Sequence, residues 1–150
     1  MDAAAREAIV DVSSEHTHLR ALVAELVREV LQTGRKVRHR EVRERLVGLR
    51  AAVEHAIDVE ERELAPLVRA ADPWGNARVE RVRDRHARLR RAVKDFEDDV
   101  AEDRHERCDL VSRAEELVAA LFSDLEEEDD AIVASQQGDD GTVVLDQESD

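Results

Sequence analysis

Along the first thirty residues, Ile9, Val12, His16, Leu19, Val23, Leu26 and Val30 recur alternately three and four residues apart. That spacing draws one stripe along a helix that packs against neighbours. The stripe returns 70 residues later as Val79, Val82, His86, Leu89, Val93, Phe96 and Val100, with histidine third in both. A second pair of stripes is offset by 68: Val42, Leu46, Leu49, Val53, Ala56 and Glu60, then Leu110, Ala114, Leu117, Leu121, Asp124 and Glu128. These two turn acidic towards their ends.

The breaks between stripes agree with this division. Gly34 is a C-cap candidate after the first helix. The stretch "DPWGN" from Asp72 to Asn76 is the strongest turn signal in the chain, and "EDRH" near Asp103 marks a weaker third break. Pro66 falls near the end of the second helix. After Ser135 the helical period is lost. The pattern predicts an all-α protein: an up-down-up-down four-helix bundle over residues 1–135, made of two similar hairpins, with a disordered acidic tail over 136–150.

Composition narrows the class. Of the 150 residues, 40% are charged, with only five glycines and two prolines, as expected of long amphipathic helices. The net charge of -14 is uneven: Ala114 to Asp150 holds thirteen acids and no Lys or Arg, leaving 24 acids against 23 bases elsewhere. Nucleic acid is therefore not an expected partner, and the arginine-rich "RVRDRHARLRR" reads as a solvated helix face. No apolar run has the length of a membrane span, and the start "MDAAAREAIV" lacks the features of a signal peptide. The single cysteine, Cys108, suits a reducing cytoplasm and reads as a buried or half-buried residue. The expectation is a cytoplasmic protein.

The stripes also locate the candidate chemistry. In an antiparallel hairpin, residues equidistant from the turn lie level, so His16 is level with Ala56 and His86 with Asp124. Glu60 and Glu128 follow one helical turn further on. Two imidazoles and three carboxylates thus converge on one layer. Holding an ionised carboxylate there without a partner costs about several kcal/mol. Either the layer is open to water, or the groups neutralise one another, or a metal ion sits among them. Donors of this nitrogen and oxygen mixture suit iron, manganese or zinc rather than a thiolate-seeking metal.

The same residues carry a resemblance. From about Ser13 to Ala134 the chain resembles the hemerythrin-like, or HHE cation-binding, family. "EHTHLRAL" and "RHARLRRAV" correspond to the histidine segments of that family's first and third helices. "AIDVEERELAP" and "DLEEEDDAIVA" correspond to its His-x-x-x-Glu-Glu segments. The resemblance implies a four-helix bundle around a non-haem, often di-iron, centre. It implies His16, Glu60, His86 and Glu128 as ligands, with Asp124 in the place of one family histidine. The other family histidine falls at Ala56, and these departures point away from reversible oxygen carriage. His55 stands one residue before the expected position and joins the candidate set only if a π-bulge turns it towards Glu60. His18, His39 and His105 lie off the stripes and read as surface residues.

The leading expectation is a protein binding one or two non-haem ions, iron foremost, with a role in O2, NO or redox sensing or in metal handling. A bundle without metal, acting as an interaction module through its surface or acidic tail, is the alternative. A third reading is an oxidase or peroxidase at a carboxylate-rich centre. The chain shows neither a nucleophile–base pair nor a phosphate-binding glycine loop, so binding leads over catalysis.

Overall fold

The computed structural model describes residues 2–31, 39–71, 73–102 and 107–139, with the side chains of 107–108 and 137–139 left out. Helix α1 spans Ala3–Leu31 and α2 spans His39–Val59. A π-helical turn at Glu60–Leu64 joins α2 to α3, Ala65–Ala71. Helix α4 spans Gly75–Ala101 and α5 spans Arg107–Asp139. Because α2, the π turn and α3 run on without a break, the chain forms the four rods of a bundle, with no strand among the described residues.

Helix α1 packs on α2 and α5, α4 packs on α2, α3 and α5, and α3 also packs on α5. Ion pairs between exposed side chains show the antiparallel course. Arg45 on α2 reaches Glu25 on α1, and Arg50 and Arg90 reach Glu97 and Glu54 between α2 and α4. Such pairs each contribute at most about 1 kcal/mol and orient the helices more than they stabilise them.

The apolar stripes do the stabilising. Leu19, Val23, Leu49, Val53, Leu89, Val93, Leu117 and Leu121 share one buried cluster, closed further along by Phe96 and Val100. This is the arrangement that the repeated period predicts. A second, smaller cluster joins Val12, Val59, Leu64, Val68, Val79 and Ile132 at the other end of the bundle. Asp2 starts α1 as its cap, its Oδ1 accepting from the Ala5 N–H at 2.7 Å.

Several boundary expectations fall on undescribed residues. Gly34, Asp103 and His105 lie there, although α4 ends at Ala101 and α5 begins at Arg107, on either side of the expected third break. Nothing in the described part bears on the side chain of Cys108. At the C-terminus, α5 runs to Asp139 rather than stopping at Ser135, and residues 140–150 lie outside the description. No described helix is long and apolar enough to cross a membrane.

Two glycines make opposite demands. A Cβ on Gly75 would stand 2.3 Å from the Val68 carbonyl oxygen and 2.7 Å from the Arg69 Cα, so the start of α4 sits directly on the backbone of α3. Gly48, inside α2, has nothing within 4 Å of the same position. Gly48→Ala is therefore expected to raise unfolding stability by about 0.5–1 kcal/mol, through helix propensity alone. Gly75→Ala is expected to lower it by about 1–3 kcal/mol through overpacking. Urea denaturation of the two variants checks both signs.

Candidate metal centre

Between the two apolar clusters lies a layer of another kind. His16 comes from α1, Glu60 from the first residue of the π turn, His86 from α4, and Asp124 and Glu128 from α5. None of the five is more than 3% exposed. The layer is therefore not open to water, since Val12, Val59, Leu64 and Val79 cover it on one side and Leu19, Leu89 and Leu121 on the other. Five of the six candidate residues thus come together.

The sixth does not. His55 is 65% exposed, and its Nδ1 lies 3.0 Å from Glu15 Oε1 on the bundle surface. The π turn that would redirect it exists, but it begins at Glu60, one step too late. From His55 to Glu60 the chain is still α-helical, so the two side chains point about 140° apart. The wide turn falls directly before Pro66, whose ring would clash with the Arg62 carbonyl in a regular helix and which has no N–H to donate. The Ala65 N–H reaches back five residues to the Glu60 carbonyl. Of the histidines read as surface residues, His18 is exposed and His39 is half-buried.

The geometry is more symmetric than level counting implies. Glu60 was expected one turn beyond His16, yet its Oε1 lies 3.1 Å from His16 Nε2. Helical side chains lean towards their own N-terminus, which on an antiparallel partner brings the long glutamate back to the level of the histidine. The Oε2 of the same carboxylate lies 2.7 Å from His86 Nε2. Glu128 does likewise, with Oε1 2.6 Å from His86 Nε2 and Oε2 in direct contact with His16 Nε2. Each glutamate therefore spans both histidines. Asp124 Oδ1 adds a third oxygen, 3.5 Å from His86 Nε2. Behind His16, Nδ1 lies 3.4 Å from Asp129 Oδ1, and Arg20 stands 3.7 Å from the other oxygen of that carboxylate.

Proton counting shows what this layer lacks. An imidazole Nε2 carries at most one hydrogen. Two such nitrogens face five carboxylate oxygens here, so most of the close contacts have no proton to share. Accordingly Glu60 Oε2, Glu128 Oε2 and Asp124 Oδ1 remain buried without a hydrogen bond, as does His86 Nδ1. One donor atom each from Glu60, His86, Asp124 and Glu128 lies within 4.8 Å of all the others, a separation that one cation can span. The donor set fits a metal.

Without an ion, the two histidines and Asp124 are shifted towards their protonated forms. Burial pulls His16 down, but hydrogen bonds and charge from Glu128 and Glu60 outweigh it and push its pKa up to about 10. His86 is likewise pushed up to about 10 against its burial, by Glu128, Glu60 and the charge of Asp124. Burial and the charge of Glu128 raise Asp124 to about 8. Glu128 is raised by burial and by its contact with Glu60. Glu60 is held below its ordinary value, because Glu128 and both histidines outweigh its burial. Beside the layer, a cavity of about 20 Å³ is bordered by His86, Glu60, Glu61, Leu64, Val82 and Ala131.

The family model described as "Hemerythrin HHE cation binding domain" matches residues 8–134, most of the chain and all five layer residues. Searches of curated proteins and of solved structures found no match.

Proposed function

The chain belongs to the hemerythrin HHE cation-binding family, and from that membership we propose that the layer of His16, Glu60, His86, Asp124 and Glu128 is a two-ion, non-haem centre, with iron its metal. The observation that carries this reading is the spanning of both histidines by both glutamates. Glu60 and Glu128, each with one oxygen towards either imidazole, would hold an ion beside each ring, and the missing protons are what cations would replace.

The chain's own residues do the rest. His16 and His86 each direct Nε2 inward, and Asp129, steadied by Arg20, stands behind Nδ1 of His16. The two apolar clusters exclude bulk water. Bound iron would supply a redox couple and a place for a small exogenous ligand. The cavity beside His86 is large enough for one water or a diatomic molecule, which supports O2, NO or redox sensing as the role. The donor set, two histidines to three carboxylates, is poorer in nitrogen than a reversible oxygen carrier requires.

Metal analysis of the purified protein, with its absorption spectrum, tests the reading. Two ions per chain, with oxo-bridged iron bands after aerobic iron loading, is the expected result. A chain that stays metal-free after loading with iron, manganese or zinc is instead a bundle without metal, and its role lies at its surface.

A further inference from the structure

The two halves of the centre are built on the same pattern but carry different donors. Glu60 and Glu128 each follow, by four residues, a buried position on the inner stripe. In the α5 half that position is Asp124, whose Oδ1 lies 3.5 Å from His86 Nε2. In the α2 half it is Ala56, 1% exposed, whose methyl group offers nothing to His16. The remaining groups near His16 do not replace the missing donor. His55 is on the surface with Glu15. Asp129 lies against Nδ1, the ring nitrogen opposite the one facing the shared glutamates.

The donor count is thus unequal. On the His86 side stand its imidazole nitrogen, one oxygen from each shared glutamate, and Asp124. Beside His16 stand an imidazole nitrogen and the other two glutamate oxygens. The four donors that lie mutually within 4.8 Å include His86 and Asp124 but not His16. Asp124, a fourth donor and an anionic one, adds both a bond and charge neutralisation in a buried layer, where each counts for more than at the surface.

We infer that the centre fills in order: the position beside His86 and Asp124 takes its ion first and tightly, and the position beside His16 takes the second more weakly, because Ala56 leaves it one ligand short. This rests on the two-ion reading of the site. It also implies a chain that passes through a one-ion form over a wide range of metal concentration.

Titration of the metal-free full chain with Co²⁺, followed by its visible absorption and by calorimetry, reads the order directly. In the wild type, two steps separated by more than about tenfold in affinity are expected, the first ending at one ion per chain. Asp124→Ala is expected to weaken the first step until the two merge. Ala56→Asp is expected to tighten the second step by about tenfold or more and leave the first where it was. Asp124→Ala removes a buried carboxylate with no hydrogen bond at Oδ1, so it tests the order even if Ala56→Asp does not fold. Two equal steps in the wild type, a second step unmoved in folded Ala56→Asp, or an Asp124→Ala variant that loses only the second step would each overturn the order. A wild-type chain that stops at one ion overturns the two-ion reading itself.

Discussion

His86→Ala is expected to abolish tight metal uptake, lowering affinity on the order of a thousandfold, or about 4 kcal/mol. His86 Nε2 is the nitrogen on which Glu60, Glu128 and Asp124 converge, so its loss leaves three carboxylates with no imidazole on that side. His39→Ala is the matched control. His39 opens α2, and Glu60 follows that helix's last residue, so the two stand roughly 30 Å apart along the rod. The metal-free His86→Ala protein also loses a donor to two buried glutamates and is expected to be less stable, by about 3–5 kcal/mol at most. Far-UV circular dichroism shows whether the variant is folded, and His86→Gln, which keeps most of the volume, is the second variant. Equal metal content in the His86 and His39 variants would sink the assignment.

Acidity should set both metal binding and metal-free stability, in opposite directions. Without metal, His16 and His86 are protonated at neutral pH, since each is held near 10. A metal takes the Nε2 lone pair, so loading both positions at neutral pH should release about two protons, with a further contribution from Asp124. Calorimetry in buffers of different ionisation enthalpy measures that release, and heats that do not depend on the buffer would contradict it.

For the metal-free protein the sign follows from the raised pKa values. A histidine raised from 6.5 to about 10 contributes stability that is full below pH 6.5 and is lost as pH rises through about 10. Asp124, raised from 3.8 to about 8, acts in the same direction over a lower window. Glu60, whose pKa is depressed, contributes above its ordinary value of 4.5 and loses that contribution only in acid. The metal-free protein should therefore weaken steadily above about pH 6.5, while the loaded protein, freed from proton competition, should not. The gap between their melting temperatures is expected to widen between about pH 6 and about pH 8. A constant or narrowing gap would show that the layer holds its protons differently.

How much of this was legible beforehand can be judged residue by residue. The period of three and four is a local property of a helix, so the stripes from Ile9 to Val30 and from Val79 to Val100 identified the buried faces without any tertiary information. His16, Glu60, His86, Asp124 and Glu128 were visible for the same reason, as polar residues on apolar stripes, and counting from the turn of each hairpin brought them to one layer.

What the tertiary structure decided were matters of less than one helical turn. Counting along the chain set Glu60 beyond His16, and only the backward lean of the side chain on an antiparallel neighbour brought one carboxylate to both imidazoles. The π turn starts at Glu60 rather than before it, which keeps His55 on the surface; Pro66 signals a disturbance nearby but not where the extra residue is absorbed. The second apolar cluster, with Val12, Val59, Leu64, Val79 and Ile132, depends on four rods meeting at one end, a contact between residues far apart in sequence. Periodicity determines which face a helix buries. How deep a group sits, and which of two oxygens meets which nitrogen, is set by packing between helices, where a shift of a few ångströms decides whether a carboxylate spans two partners or one.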